Sequence, residues 1–309
     1  MVAAVATLCL YGGSLPFTKN VTTTIDPFTL LGWRFFVAFV TLLVLMLVRV
    51  IRVRPTRATL RPLLLLAVFQ PVIYYVCETY GVRRTTASES ALILAVVPVA
   101  MMLAAMVFLR RRPTRWQVAG ISVTLVGVTI TVVAGGLTAA FNLIGYVLVL
   151  AAVISYALYA VFADRYAAAA SDVDKTFFMV AAGALFFGTI TLAQHGAGHT
   201  LGTLVTLPFT NPSFAIAVAY LALGSTIGAF FLQNVAIGIL GSTRYSTYVG
   251  LATVTTLLAG ALTLGERLSV AQWIGGGIIL AGVYLANWRA GAADPAVPAA
   301  DEARVSPSH

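Results

Sequence analysis

The feature that most limits how this chain can fold is a succession of ten apolar stretches, which use nearly all of its 309 residues. A transmembrane helix needs about 20 predominantly apolar residues, and each stretch comes close to that length. We therefore predict an all-α integral membrane protein with ten transmembrane helices. The predicted spans are Val2–Thr18, Pro27–Val48, Pro62–Val82, Ser90–Leu109, Trp116–Val133, Ile144–Phe162, Phe177–Gln194, Phe214–Ile239, Tyr245–Leu264 and Gln272–Trp288.

Composition and charge placement agree with a membrane protein. Hydrophobic residues make up 60% of the chain and charged residues only 9%, whereas a soluble domain carries about 25% charged residues. The net charge of +9 does not indicate a nucleic-acid partner, because the arginines cluster in the loops at 49–61 and 110–115. By the positive-inside rule these loops are cytoplasmic. We predict a multi-pass protein of a bacterial cytoplasmic membrane, surrounded by lipid, with both termini in the cytoplasm.

The chain also contains a weak internal repeat. A shift of 155 residues places Gln117, Gly120 and Gly127 on Gln272, Gly275 and Gly282. The spacing of seven residues puts each pair of glycines on one helix face, where we expect close backbone packing. Five spans in each half place the second copy upside down in the bilayer. The predicted domains are a first five-helix repeat at 1–134, a second, inverted repeat at 143–289, and a disordered cytoplasmic tail at 290–309.

The first span of each half aligns with a shorter shift. Tyr11 then falls on Tyr156, and Lys19 falls beside Asp164. Inverted repeats are the architecture of alternating-access carriers, which hold their substrate near the midplane between the copies. The repeat therefore predicts a secondary transporter.

Several motifs, in their order and spacing, resemble the EamA type of the drug/metabolite transporter superfamily over about residues 5–288. They are Tyr11-Gly12-Gly13-Ser14 with Lys19, Arg34, Ser90-Ala91-Leu92 with Val97-Pro98-Val99, and Leu264-Gly265-Glu266-Arg267-Leu268-Ser269 with Gln272, Gly275 and Gly282. The resemblance implies ten helices in two inverted five-helix repeats. The repeats differ where Arg111 stands opposite Glu266 and Pro98 opposite Thr253, so the two copies are not expected to work identically.

Charged residues within the predicted spans are few, and such residues are functional candidates by default. Glu78 is the strongest, because Gln70, Tyr74 and Glu78 recur every four residues on one helix face. Glu78 could bind a substrate ammonium or carry a coupling proton. The alternative is an interfacial ion pair with Arg83 or Arg84.

Aromatic residues form pseudo-equivalent pairs that suit a cavity wall, although aromatic side chains at this depth also serve as packing. The pairs are Tyr11 with Tyr156 and Tyr75 with Phe230. We expect one central cavity between spans 1, 3, 4 and 6, 8, 9, with Tyr248 sharing a face of span nine with Tyr245. The predicted substrate-binding residues are Tyr11, Gln70, Tyr74, Tyr75, Glu78, Tyr156, Phe230, Gln233 and Tyr248.

Four charged residues are candidates for a gate or for charge partners. Lys19 and Arg34 flank the outer loop around Asp26, where they either form interfacial contacts or meet a substrate carboxylate. Glu89 and Arg244 occupy equivalent helix starts in the two repeats. Because the repeats are inverted, we expect Glu89 and Arg244 on opposite membrane faces.

No metal or cofactor is predicted. His195 and His199 are four residues apart, but the sequence has no carboxylate or Cys near them that could complete a metal site. We interpret Glu266 as a structural residue that anchors the turn into span ten. No ATP-binding motif is present, so energy would come from a gradient or from the flow of the substrate itself.

The predicted function is export of amino acids, amines or related small metabolites by alternating access. A zwitterion needs partners of both signs, which Glu78 with Lys19 or Arg34 could supply. The alternative is a multidrug or quaternary-ammonium efflux carrier, and a lipid-modifying membrane enzyme is more remote. Substrate identity, proton coupling, and a monomer or a homodimer stay open.

Overall fold

The structure is a computed structural model that describes residues 2–53, 57–109, 114–136, 142–166, 170–246 and 248–287. Within these ranges the chain is helical and contains no strand. Two π-helical turns, Val68–Ile73 and Tyr220–Gly228, join α3 to α4 and α11 to α12. The α-helices are α1 (Val2–Thr22), α2 (Pro27–Leu47), α3 (Arg57–Ala67), α4 (Tyr74–Arg84), α5 (Ala87–Leu94), α6 (Val97–Leu109), α7 (Arg115–Gly136), α8 (Leu143–Arg165), α9 (Asp172–Ala197), α10 (Leu201–Thr210), α11 (Pro212–Ala219), α12 (Ala229–Ser246), α13 (Gly250–Thr263) and α14 (Val270–Asn287).

Six helical stretches of the described chain are long and apolar enough to cross a membrane. They are Pro27–Leu47, Thr59–Arg84, Ala87–Phe108, Leu143–Arg165, Asp172–Ala197 and Pro212–Ser242. Each of the ten predicted spans coincides largely with helix. The predicted all-α integral membrane fold is therefore confirmed, and ten as the number of crossings stays a prediction.

Polar residues at the starts of several helices fix where those helices begin. Asp26, Asn142, Ser171 and Asn211 each accept a hydrogen bond from a backbone N–H two or three residues later, at 2.9–3.1 Å. Such caps satisfy N–H groups that have no partner inside the helix. They set the first turns of α2, α8, α9 and α11.

Two predicted boundaries need correction, and some predicted features lie outside the described residues. Gly241 has φ of 74° and interrupts α12, while α13 begins at Gly250. Tyr245 and Tyr248 therefore precede α13 instead of sharing one of its faces. The helix α10 was not predicted at all. The arginines at 110–112, the junction at 137–141, the tail at 290–309 and the side chain of Arg244 are outside the described part.

The glycines of the internal repeat bring α7 and α14 into close contact. A Cβ at Gly127 would lie 2.8 Å from the carbonyl oxygen of Gly275, and a Cβ at Gly282 would lie 2.5 Å from the backbone nitrogen of Thr124. No side chain fits at these distances. The predicted close backbone packing is confirmed, and it joins one helix from each half.

The first helix of each half packs on helices of the other half. α1 packs mainly on α12 and α13, and we call these three helices the α1 group. α8 packs mainly on α4 and α6, and we call these three helices the α8 group. α5 contacts both groups. The two groups also meet directly, because α12 contacts α6 and α8.

The direction of α8 defines the two ends of this arrangement. A Cβ at Gly145 would lie 2.8 Å from the Thr85 side chain and 2.9 Å from that of Arg84. The start of α8 therefore lies beside the last turn of α4, at what we call the α4–α5 end. The last turn of α8 lies at the opposite end, called the α8–α9 end. The 23 residues of α8 span about 34 Å.

Candidate functional site

A cavity of about 60 Å³ lies between the α1 group and the α8 group. Tyr11 contributes to its wall from α1, Tyr74 from α4 and Tyr156 from α8. No charged side chain is among the described residues that line it, which are Leu8, Tyr11, Ser14, Leu15, Tyr74, Ala91, Leu94, Val97, Tyr156, Val249, Ala252, Thr253 and Thr256. Pockets for small molecules usually measure about 300–1,000 Å³, so a metabolite can enter only after the helices move.

A chain of hydrogen bonds joins the two halves of the protein beside this cavity. The Tyr11 hydroxyl donates to Oε1 of Gln233 at 2.5 Å, and Nε2 of Gln233 donates to Oε1 of Gln70 at 3.4 Å. Gln70 and Gln233 are completely buried. The amide nitrogen of Gln70 has no hydrogen-bond partner. The series of hydrogen bonds therefore ends in a buried N–H group that is free to donate to a substrate.

The backbone explains why Gln70 reaches this position. It has φ of −139° and ψ of 119°, which are not helical values, inside the π-helical turn. The straight helix predicted for span three would have placed Gln70, Tyr74 and Glu78 on one face. In the structure the interrupted segment places Tyr74 at the cavity, while Gln70 and Glu78 lie among buried side chains.

Two further predicted residues pack behind the cavity instead of lining it. Tyr75 and Phe230 are 2% and 0% exposed, and their ring centroids lie 6.0 Å apart. The Phe230 ring also contacts Tyr11 at 6.5 Å. The pseudo-equivalent pair therefore meets at the centre, where it supports the ring of Tyr11.

A second polar network begins at the cavity with Tyr156, and its members Tyr159, Asn234 and Thr176 were not predicted. The hydroxyls of Tyr156 and Tyr245 share a hydrogen bond at 3.3 Å. Tyr159 donates to Oδ1 of Asn234 at 2.6 Å, and Nδ2 of Asn234 donates to Thr176 at 3.1 Å. The sequence held a signal for two of these residues, because Tyr159 lies one helical turn after Tyr156 and Asn234 directly follows Gln233. Tyr248 is partly buried against the same core.

Arg34 is buried to 1% exposure between α2, α4 and the second π-helical turn. Its Nε donates to Thr226 at 2.7 Å, and its Nη2 donates to Ser225 and to the Tyr75 hydroxyl, both at 3.0 Å. The guanidinium also lies 4.2 Å from the Tyr75 ring centroid. Arg34 therefore does not lie at the membrane surface, where the outer-loop interpretation placed it.

Glu78 is also 1% exposed, and Oε2 accepts a hydrogen bond from Thr79 at 3.2 Å. Arg34 is the cation whose charge acts on it. Arg83 instead pairs with Asp26 at 3.8 Å, and Arg84 donates to the carbonyl of Tyr80. The structure thus pairs neither arginine with Glu78, and it contradicts the interfacial alternative.

The α4–α5 end is held by charged side chains from distant parts of the chain. Glu266 accepts hydrogen bonds from the backbone N–H groups of Ala87 and Ser88, both at 2.8 Å. It caps α5, whereas the sequence predicted an anchor for the turn into the last helix. Glu89 forms a capping box with Thr86 and accepts a further bond from Gln272 at 2.7 Å.

The remaining candidates do not form a metal site. His195 shares hydrogen bonds with Thr29 at 2.9 Å and with Thr200 at 2.7 Å. In the part of the chain that the structure describes, no group of three or more His, Cys, Asp or Glu could hold an ion. His195 therefore links α9 to α2 and to the start of α10.

Comparison with known proteins gives matches over nearly the whole chain. The profile of the EamA-like transporter family matches residues 1–133 and 143–288. An uncharacterized transporter of Bacillus subtilis (strain 168), YcxC, is 30% identical over 93% of this chain and 92% of its own length. An uncharacterized inner membrane transporter of Escherichia coli (strain K12), YedA, is 29% identical over 84% of this chain and 81% of its own length.

Two further similarities are more limited in what they say. A probable amino-acid metabolite efflux pump of Salmonella typhimurium (strain LT2) is 29% identical over 60% of this chain and 62% of its own length. A solved crystal structure is 18% identical, with a TM-score of 0.62, over 96% of this chain and 99% of that chain. At that identity the structure supports the fold alone.

Proposed function

This chain belongs to the EamA-like transporter family, and from that premise we propose that it is a secondary carrier. It exports amino acids, amines or related small metabolites from the cytoplasm by alternating access and leaves them chemically unchanged. The observation that carries the proposal is the cavity between the α1 and α8 groups, walled by Tyr11, Tyr74 and Tyr156. At about 60 Å³ it is too small for a metabolite, so transport requires the helices around it to separate.

The proposed substrates follow from the polar groups beside this cavity. The hydroxyl of Tyr11 and the unpartnered amide of Gln70 can bind the oxygen atoms of a metabolite, and Glu78 with Arg34 can bind groups of opposite charge once the helices separate. The similarity to a probable amino-acid metabolite efflux pump supports this class. Glu78 is also our candidate for a coupling proton, since it is a carboxylic acid that is only 1% exposed.

A quaternary-ammonium or multidrug substrate is the second candidate, and one observation favours it. Three tyrosine rings surround a cavity whose described lining holds no charged side chain. Aromatic rings attract organic cations through their faces. Such a substrate would need the rings more than it needs Glu78 with Arg34.

The membrane arrangement remains part of the proposal. We place the α4–α5 end outside and the α8–α9 end, with both termini, in the cytoplasm of a bacterial cell. Two inverted five-helix repeats are supported by the π-helical turns, which overlap under the 155-residue shift. The glycine contact between α7 and α14 joins equivalent helices of the two halves.

Reconstituted vesicles test the proposal directly. Purified protein is placed in liposomes loaded with one unlabelled amino acid or amine, and exchange for the same labelled compound is measured. We expect exchange well above empty liposomes for one substrate class, and loss of it in Tyr11→Ala. Exchange of quaternary ammonium compounds alone would favour the second candidate, and no exchange of any compound would contradict a carrier of these substrates.

A further inference from the structure

Two charged residues at repeat-equivalent positions, Lys19 and Asp164, make unusual contacts that the cavity does not explain. Each lies in the last turn or turns of the first helix of its half, Lys19 on α1 and Asp164 on α8. They carry opposite charges. Each side chain reaches backbone groups where another helix ends or is interrupted.

Lys19 holds the last turn of α4. Its Nζ donates to the carbonyl oxygens of Val82 at 3.2 Å and Arg83 at 3.1 Å, and also to that of Thr85. The last carbonyl groups of a helix lack partners within the helix and carry the negative end of its dipole. A cation is the group that satisfies both features.

Asp164 holds the interruption in α12. Its Oδ2 accepts hydrogen bonds from the backbone N–H of Ser242 at 3.1 Å and from the Ser242 hydroxyl at 2.7 Å. The preceding residue, Gly241, has the positive φ that breaks the helix. A break exposes backbone N–H groups, and a carboxylate is the group that accepts hydrogen bonds from them.

The two contacts cross between the helix groups in opposite senses and at opposite ends. Lys19 connects the α1 group to α4 of the α8 group at the α4–α5 end. Asp164 connects α8 to α12 of the α1 group at the α8–α9 end. Because the cavity lies between the two groups, each contact ties together helices from its two sides.

We propose that Lys19 and Asp164 are a pair of latches of opposite charge, one on each gate of the carrier. The inference rests on the proposed function, and it adds the residues that hold each gate shut. Release of Lys19 from the α4 carbonyls opens the α4–α5 end, and release of Asp164 from Ser242 opens the α8–α9 end. Both latches are closed in this structure.

Accessibility of a reporter cysteine in the cavity wall tests the latches. The native Cys9 and Cys77 are replaced by Ala, and Ser14→Cys supplies the reporter. A membrane-impermeant maleimide is then applied to right-side-out and to inverted membrane vesicles. Lys19→Met keeps the length of the side chain but removes its donors, and Asp164→Ala removes the acceptor.

The two variants should change labelling in opposite directions. Lys19→Met should raise the labelling rate from the α4–α5 side about tenfold, equivalent to about 1.4 kcal/mol, and lower it from the other side. Asp164→Ala should do the reverse. Arg84→Met and Asp172→Asn are matched controls, because Arg84 binds within α4 and Asp172 pairs with Lys175 within α9, at 3.0 Å. Both controls should label as the native chain does.

Conservative variants separate a latch from a general loss of folding. Lys19→Arg keeps a cation and should label as the native chain does, whereas Asp164→Asn should shift labelling in the direction of Asp164→Ala but less. The proposal is overturned if Lys19→Met and Asp164→Ala shift labelling toward the same side. It is also overturned if both variants are labelled at the same rates as the two controls. It is also overturned if Lys19→Arg behaves as Lys19→Met.

This experiment stands apart from the search for a substrate. Labelling requires no transported compound, so a failed exchange assay leaves its outcome intact. Normal exchange combined with unchanged labelling in Lys19→Met and Asp164→Ala would contradict the latch proposal but would still support the proposed carrier function.

Discussion

At the scale of single residues, position separates the charged side chains at the α4–α5 end, which hold the structure, from those in the interior, which can take part in transport. Lys19, Glu89 and Glu266 bind backbone groups or amides at the α4–α5 end. Arg34 and Glu78 are 1% exposed in the interior. Removing a charge from water has a large free-energy cost unless it is compensated. Burial of Arg34 and Glu78 is therefore costly, and function is a reason to keep these charges.

Glu78→Gln keeps the shape of the side chain and removes its charge. If Glu78 carries a proton or binds an ammonium group, exchange in liposomes should fall about tenfold or more, the factor for about 1.4 kcal/mol. The dependence of exchange on pH should flatten, because the glutamine cannot ionise. Expression and thermal stability in detergent should stay close to those of the native chain.

A purely compensating role for Glu78 gives a different result. Glu78→Gln would then leave Arg34 without an opposing charge and lower the melting temperature, and Arg34→Met in the same chain would restore part of it. Native exchange at every pH in Glu78→Gln would exclude both a proton and a ligand role, and would move quaternary-ammonium export ahead.

At the scale of the elements, interruptions of the helices place the site. The first π-helical turn points Gln70 away from a regular helix face, and the break at Gly241 provides the N–H that binds Asp164. Apolar periodicity locates a helix but does not reveal where a backbone departs from α geometry. This is why the sequence placed Tyr245 and Tyr248 on α13. The α10 helix was missed for another reason, because its 10 residues are too few for a span. The close packing at the repeated glycines was predictable, because a spacing of seven residues puts two glycines on one helix face.

A pair of glycines on α14 provides a matched test of that contact. A Cβ at Gly275 would lie 2.9 Å from the carbonyl oxygen of Gly127, whereas nothing lies within 4 Å of one at Gly277. Gly275→Ala should therefore lower the free energy of unfolding by about 1–3 kcal/mol through overpacking. Gly277→Ala should be neutral or stabilising by up to about 1 kcal/mol, because Ala favours helix over Gly. Equal melting temperatures for the two variants would contradict the close α7–α14 contact.

At the scale of the whole molecule, the sequence predicted the class of fold and the family better than it predicted the site. The fold class was inferred from the hydropathy and the arginine positions of many residues together, so a wrong inference about one residue changes the result little. The pairing of Arg34 with Ser225 and Thr226, and of Asp164 with Ser242, depends on contacts between residues 78 to 192 positions apart. Such contacts leave no local pattern. The packing of α1 on α12 and α13 likewise followed from no periodicity.

The orientation of the whole chain is the last prediction, and it rests on the arginines at 49–61 and 110–115. A fluorescent reporter that matures only in the cytoplasm, fused after Arg289, should be bright, and an alkaline phosphatase at that position should be inactive. The same reporters placed after Gly198, in the connection from α9 to α10, should give the opposite pair of results. An active phosphatase after Arg289 would reverse the orientation. Cytoplasmic signals at both positions would mean that an odd number of the three predicted crossings between them is missing, which would contradict the inverted five-helix repeats.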